Sequence, residues 1–148
     1  MTESEAFKKI AFYCAYQERS TKETREKLIS FELENDVVKM LLNKLKDEKY
    51  LDEKRFAESY AGGKFRVKKW GKIKIRMGLK SHGIAISLVQ ESLLAISEKD
   101  YEDTLSELFD SKLKELKKMD SAYNKQKMYN FLSAKGFEPE YILRLIHL

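Results

Sequence analysis

The sequence predicts an all-α protein made of three tandem three-helix repeats that form an elongated, curved array. Three observations carry that expectation. One proline and six glycines in 148 residues, with no low-complexity linker, leave little to interrupt helix. Segments ending at Leu28, Leu79 and Leu132 recur at intervals of 51 and 53 residues, each followed by a turn and another helix. After each turn the same i, i+3, i+4, i+7 apolar stripe returns: Val38, Leu41, Leu42 and Leu45, then Val89, Ser92, Leu93 and Ile96, then Ile142, Leu145 and Ile146.

The repeats are expected at residues 1–50, 51–99 and 100–148. The first opens with a helix whose apolar face is Phe7, Ile10, Ala11 and Cys14, and its second helix starts at Ser20, which has capping-box spacing to Glu23. Its turn, SFELEN, must be made without glycine. The second repeat starts at Asp52, the first residue of DEKRFAESY, with Phe56, Tyr60 and Val67 as its apolar face. KIKIR at 72–76 alternates like a strand, but the repeat register places it opposite TREKL and QKMYN, so helix is expected. The turn KSHGI then offers Gly83 for a left-handed helix end, as SAKGF offers Gly136 in the third copy. Asp100 is read as opening the long helix that carries Leu105, Leu108, Phe109, Leu113 and Leu116, and Pro139 suits the first turn of the last helix. A unit of about 50 residues is marginal alone, so neighbours are expected to share apolar contacts.

Composition narrows the class. Hydrophobic residues at 43% and charged residues at 36% exclude a disordered chain, and no apolar run approaches the roughly 20 residues of a membrane span. The start, MTESEAFKK, has neither the basic nor the apolar region of a signal peptide, which points to the cytoplasm. A lone Cys14 at helical spacing among apolar residues reads as core. AGGKF has GGK but not the glycine spacing or the hydroxyl residue of a phosphate loop. His82 and His147 lie far apart with no second cysteine, so no metal site and no cofactor are expected. His82, beside Gly83, reads as a helix C-terminal residue favoured by the dipole. Acids sit singly in lysine-rich helices, no triad or acid pair stands out, and an enzyme is not expected.

What the chain does have is charge in one place. Lys and Arg against Asp and Glu number 10 and 10 in residues 1–50, 11 and 5 in 51–99, and 8 and 9 in 100–148. The excess lies in KFRVKKWGKIKIRMGLK, residues 64–80, with eight cations and no acid. Such a run is either a solvated helix face or a surface that meets a polyanion through Coulomb attraction and counterion release. Lys64, Arg66, Lys68, Lys69, Trp70, Lys72, Lys74, Arg76 and Lys80 are the candidate contact residues. Lys72, Arg76 and Lys80 share a helix face away from Ile75 and Leu79. Trp70 and Phe65 have flat faces that stack on unpaired bases, and both also stand where a helix junction needs packing.

The stretch YLDEKRFAESY, followed after a basic spacer by WGKIKIRMGLKSHGI, resembles the central motif of the RecX family, regulators of the RecA recombinase. ERSTKETREKL in the first repeat is similar to that family's R-S-x-x-E-L-R-x-K-L segment, with Thr24 in place of the more usual leucine. Lys72 stands where the family often has proline, and Met77 and Gly78 depart from its usual residues. The resemblance extends over the three-repeat plan. It implies a non-enzymatic modulator that binds RecA, particularly its filament on single-stranded DNA, and restrains ATP hydrolysis, strand exchange and co-protease activity. Direct contact with DNA is a further expectation, and a monomer is the default.

The alternative is a duplex-binding helix-turn-helix regulator, because short helices joined by GI-type turns can present a recognition helix to the major groove. It predicts a sequence-specific site and symmetric dimers. A purely structural helical adaptor predicts no response to salt or polyanion, and the local charge excess argues against it.

Overall fold

The computed structural model describes residues 1–147. These residues form helices α1 (Glu3–Tyr16), α2 (Thr21–Ile29), α3 (Asn35–Asp47), α4 (Glu53–Arg66), α5 (Lys72–Ser81), α6 (Ile86–Leu94), α7 (Glu98–Leu116), α8 (Ala122–Ala134) and α9 (Pro139–Ile146), and no strand among the described residues. KIKIR is helical, as the register requires. Packing runs in threes: α1 with α2 and α3, α4 with α5 and α6, and α8 with both α7 and α9. No helix is long and apolar enough to cross a membrane.

Local chemistry sets the helix starts. Ser20 and Glu23 complete a capping box, with the Ser20 N–H donating to Glu23 Oε1 at 2.7 Å and the Glu23 N–H donating to Ser20 Oγ at 3.1 Å. Asp52 accepts the Arg55 N–H at 3.0 Å, and Pro139 occupies the first turn of α9, where its missing N–H costs nothing. The long helix begins earlier than expected. Ser97, not Asp100, is its N-cap and accepts the Asp100 N–H at 3.1 Å, so Asp100 lies within the first turn, favoured there by the dipole.

The repeat register is visible in burial. Leu28, Leu79 and Leu132 are all fully buried, as are Val38, Val89 and Ile142 to within a few per cent. Ser92, at a core position, satisfies its hydroxyl by donating to the Val89 carbonyl at 2.8 Å. Cys14 lies in the core, its Sγ 3.9 Å from Thr24 Oγ1. Val67 does not: it is 77% exposed at the C-cap of α4, and Phe65 takes the buried position instead. The helix ends one residue before Val67, so the expected spacing no longer applies there.

At the turn after each middle helix, Gly83 (φ 74°) and Gly136 (φ 100°) are left-handed. Glu32, at the same register, adopts φ 59° although it has a Cβ. All three donate to the carbonyl three residues back, but the wider bonds from Ile84 N–H to the Leu79 carbonyl (3.1 Å) and from Phe137 N–H to the Leu132 carbonyl (3.3 Å) accompany only the glycine copies. Glu32→Gly is therefore expected to stabilise the fold by about 1 kcal/mol, because the left-handed penalty is lifted at an exposed site. Denaturant unfolding with an unchanged or lower midpoint would contradict this.

The apolar interior forms two clusters. One joins Ala6, Ile10, Ala11, Cys14, Leu28, Val38, Leu41, Leu42, Leu45 and Leu51 from the first three helices. The other runs without a break from Phe56 in α4 to Ile142 in α9. The accessible surface is 9320 Å² for 17.4 kDa, against about 7,900 Å² for a compact monomer of that mass, so the molecule is elongated.

Candidate interaction surface

The surface is built around the turn between α4 and α5. α4 ends at Arg66, and Lys69 takes a left-handed conformation (φ 57°) that lets the Trp70 N–H return to the Lys64 carbonyl at 3.1 Å. This folds the turn back and sets the indole of Trp70 beside both helices. The Nζ of Lys64 lies 4.9 Å from its centroid and that of Lys74 lies 4.6 Å away, with Tyr60 edge-on at 6.5 Å. Two lysines from different helices thus hold one half-buried ring by cation–π attraction.

The other candidates do not all converge on this point. Arg76 and Lys80 project from the exposed side of α5, opposite the buried Ile75 and Leu79, and Lys68 is exposed in the turn. Lys72 turns toward the third repeat, its Nζ 5.0 Å from the ring of Tyr101. Lys69 pairs with Glu107 of α7 at 3.6 Å, and Arg66 lies over Gly62 on the far side of α4, near Glu58 and Asp100. Lys69 is the one member of the set with a salt bridge among the described residues. Phe65 is buried against Tyr101 at 5.9 Å between centroids, so it presents no face to an outside base.

Several residues that local sequence does not mark as contact residues also stand at this surface. Tyr60 stands one helical turn before Lys64, a spacing that marks it once α4 is known. Its hydroxyl pKa is raised by burial. His82 caps the end of α5 between the rings of Phe56 (5.1 Å) and Tyr60 (5.4 Å), with Nδ1 3.4 Å from Ser20 Oγ at the start of α2. Lys22, also on α2, donates to the Ser81 carbonyl at 2.8 Å. Arg55 is held by Glu18, and that hydrogen bond raises the guanidinium pKa further.

At its other end α5 meets α8. The N–H groups of Gly71 and Ile73 donate to the carbonyls of Lys135 (2.8 Å) and Gly136 (3.0 Å), and Lys74 Nζ reaches the Ala134 carbonyl at 3.5 Å. The Lys72 N–H donates to the hydroxyl of Tyr101 at 2.8 Å, and that hydroxyl donates to Glu138. The amide-rich start of α5 is thereby satisfied by the carbonyl-rich end of α8, an arrangement in which the two helix dipoles also attract. The end of α5 and the start of α2 are joined only through side chains, His82 to Ser20 and Lys22 to the Ser81 carbonyl.

Comparison with known proteins places this architecture. The family model for RecX, second three-helix domain, matches residues 52–93. The regulatory protein RecX of Chlorobium phaeobacteroides is 31% identical over 124 residues, covering 82% of this chain and 78% of that protein. That of Clostridium perfringens is 32% identical over 122 residues, 81% of this chain and 57% of its own length. The chain spans about half the length of several of the relatives it matches. The crystal structure of RecX from Lactobacillus salivarius superposes with a TM-score of 0.86 at 25% identity, covering 98% of this chain and 94% of that one. A second crystal structure of a regulatory protein RecX, 21% identical, shares the fold with a TM-score of 0.85 over 98% of this chain. With its helices in the same arrangement, and with a relative matched over most of both lengths, the chain belongs to the RecX family.

Proposed function

We propose that this protein is a regulator of a RecA-type recombinase, binding it on single-stranded DNA and restraining ATP hydrolysis, strand exchange and co-protease activity without chemistry of its own. The observation that carries this reading is the cationic surface at α4 and α5, where Lys64, Trp70 and Lys74 are gathered and Lys68, Arg76 and Lys80 stand exposed without acidic partners among the described residues. Exposed cations free of internal partners keep their attraction for an outside anion. Residues 1–50, 51–99 and 100–148 act in this proposal as successive contact units on neighbouring recombinase subunits.

The test is DNA-stimulated ATP hydrolysis by the recombinase, titrated with wild type and with Lys68→Glu, Arg76→Glu, Lys80→Glu combined. All three side chains are exposed, so the fold is kept. Half-inhibition is expected to need roughly tenfold or more of the variant, since reversing three charges at an anionic interface weakens steering and contact together. Undiminished inhibition would take this surface out of the mechanism.

A further inference from the structure

In the first two repeats the opening helix packs on the third, α1 on α3 and α4 on α6. In the last repeat α7 and α9 each pack on α8, and a groove stays open between them. One part of it, about 200 Å³, lies beside Glu102, Leu105, Tyr141 and Arg144. The other, about 590 Å³, lies beside Phe109, Leu113, Met119 and Ile146, and Ser106 and Leu145 line both. Phe109, Leu113, Met119, Leu145 and Ile146 are half-buried, so the core of this repeat continues into the groove. Along α7 the lining steps by three and four residues from Glu102 through Ser106, Phe109 and Leu113 to Lys117, the residue that caps the helix. Charge changes sign along this length: residues 98–107 hold five acids and one lysine, and residues 108–118 hold four lysines and two acids. That order suits the dipole of α7 itself, and it also leaves an apolar groove with an acidic end and a cationic end. Arg144, the cation at the acidic end, lies over the ring of Tyr141 at 4.7 Å. Glu102 and Lys117 are exposed, and neither is ion-paired among the described residues.

From this arrangement we infer that the α7–α9 groove is the contact surface for a second copy of this chain, the two α7 helices lying antiparallel across a two-fold axis. A two-fold contact makes every pairing twice, so Glu102 of either copy meets Lys117 of the other. An axis that crosses near Phe109 and Asp110 is equally far along the helix from both. The half-buried apolar residues in the middle are then covered, and the opposite ends neutralise one another. A partner of uniform charge would be repelled at one end of the same groove. Asp110 opposes the pairing, because near the axis it meets its own counterpart. Glu107, which pairs with Lys69, points away from the groove face, so the α4–α5 surface of each copy stays free. The inference does not depend on the function proposed above.

The test is sedimentation velocity of the purified chain over a concentration series. With α9 beside it, a helix about 28 Å long makes an interface at the small end of the specific range, so pairing is expected at micromolar concentrations. Lys117→Glu and Glu102→Lys, both at exposed positions, are each expected to weaken pairing about tenfold or more, because each sets like charges against one another at both ends of the contact. Mixed in equal amounts, the two variants should pair as tightly as the wild type, since each supplies the charge the other needs. Asp110→Asn should tighten pairing about threefold by removing like charges near the axis. Lys68→Glu, Arg76→Glu, Lys80→Glu combined should pair as the wild type does, and loss of pairing in that variant would move the contact to α4 and α5 and overturn the inference. A wild type that stays monomeric up to roughly millimolar concentration would also overturn it. So would a dimer indifferent to both single substitutions, a mixture no tighter than its components, or weaker pairing in Asp110→Asn. Pairing as expected with an unaffected recombinase would keep the interface and remove the regulator.

Discussion

Gly71→Ala is expected to destabilise the protein by about 3–5 kcal/mol, an effect that belongs to the exceptional class for a single methyl group. A Cβ at this position would overlap the backbone of Gly136 and Phe137, and backbone atoms cannot rotate out of the way. The end of α8 and the start of α5 would have to separate. The N–H groups of Gly71 and Ile73 would then lose the Lys135 and Gly136 carbonyls, each at a cost of about 1–3 kcal/mol if left buried and unpaired. Gly63→Ala supplies the contrast eight residues earlier. Nothing lies within 4 Å of its added Cβ, and alanine is the better helix former by about 0.5–1 kcal/mol, so that variant should gain stability. In thermal melts followed by circular dichroism, Gly71→Ala should unfold about 10 °C below wild type and Gly63→Ala slightly above it. A Gly71→Ala midpoint within about 2 °C of wild type would mean that the two helix ends can part freely.

Tyr101→Ala should be nearly as damaging, at about 3–5 kcal/mol, because the ring is fully buried among Phe65, Phe137 and Tyr141 at 5.1–5.9 Å. Tyr101→Phe keeps that packing and removes only the hydroxyl. It leaves the Lys72 N–H without its acceptor and Glu138 without its donor, at a cost of about 1–3 kcal/mol. The hydroxyl also predicts a pH response. Burial, then the hydrogen bond to Glu138, raises the Tyr101 pKa, and the hydrogen bond to Glu98 pushes Tyr141 up to about 12. A group whose folded pKa exceeds its unfolded value of about 10 contributes its full stability below pH 10 and loses it as pH rises toward the folded value. Stability of the wild type should therefore fall from about pH 10 upward, and less steeply in Tyr101→Phe. Equal alkaline slopes in urea titrations of the two proteins would sink this assignment.

Much of the fold is legible in sequence because its determinants are local. The three equivalent leucines, the capping box at Ser20 and the glycines at 83 and 136 each act within one turn of helix, and each is where the spacing puts it. The structure departs from the spacing at Val67 and Asp100 because both stand at helix boundaries: α4 ends before Val67, and Ser97 rather than Asp100 caps the start of α7. The surface is less legible. A linear run of eight cations reads as one patch, yet a helix rotates about 100° per residue, which turns Arg66 away from Lys64 and Lys72 away from Lys74. The partners that organise it, Tyr101 and Lys135 for the start of α5 and Ser20 and Lys22 for its end, lie tens of residues away, where no periodicity points.

The junction of α5 with α8 also bears on how the chain matures during synthesis. The amides of Gly71, Lys72 and Ile73 find their acceptors at Lys135, Tyr101 and Gly136, so the opening turn of α5 must wait for about 65 further residues to be translated. At 5–20 residues per second this is a delay of roughly 3–13 s, during which water alone serves those groups. The first repeat, whose apolar cluster closes within residues 6–51, needs no such wait. Vectorial emergence therefore lets the N-terminal apolar cluster close early, the bonds of Glu18, Ser20 and Lys22 to Arg55, His82 and Ser81 follow, and the central unit reaches its final state only together with the last.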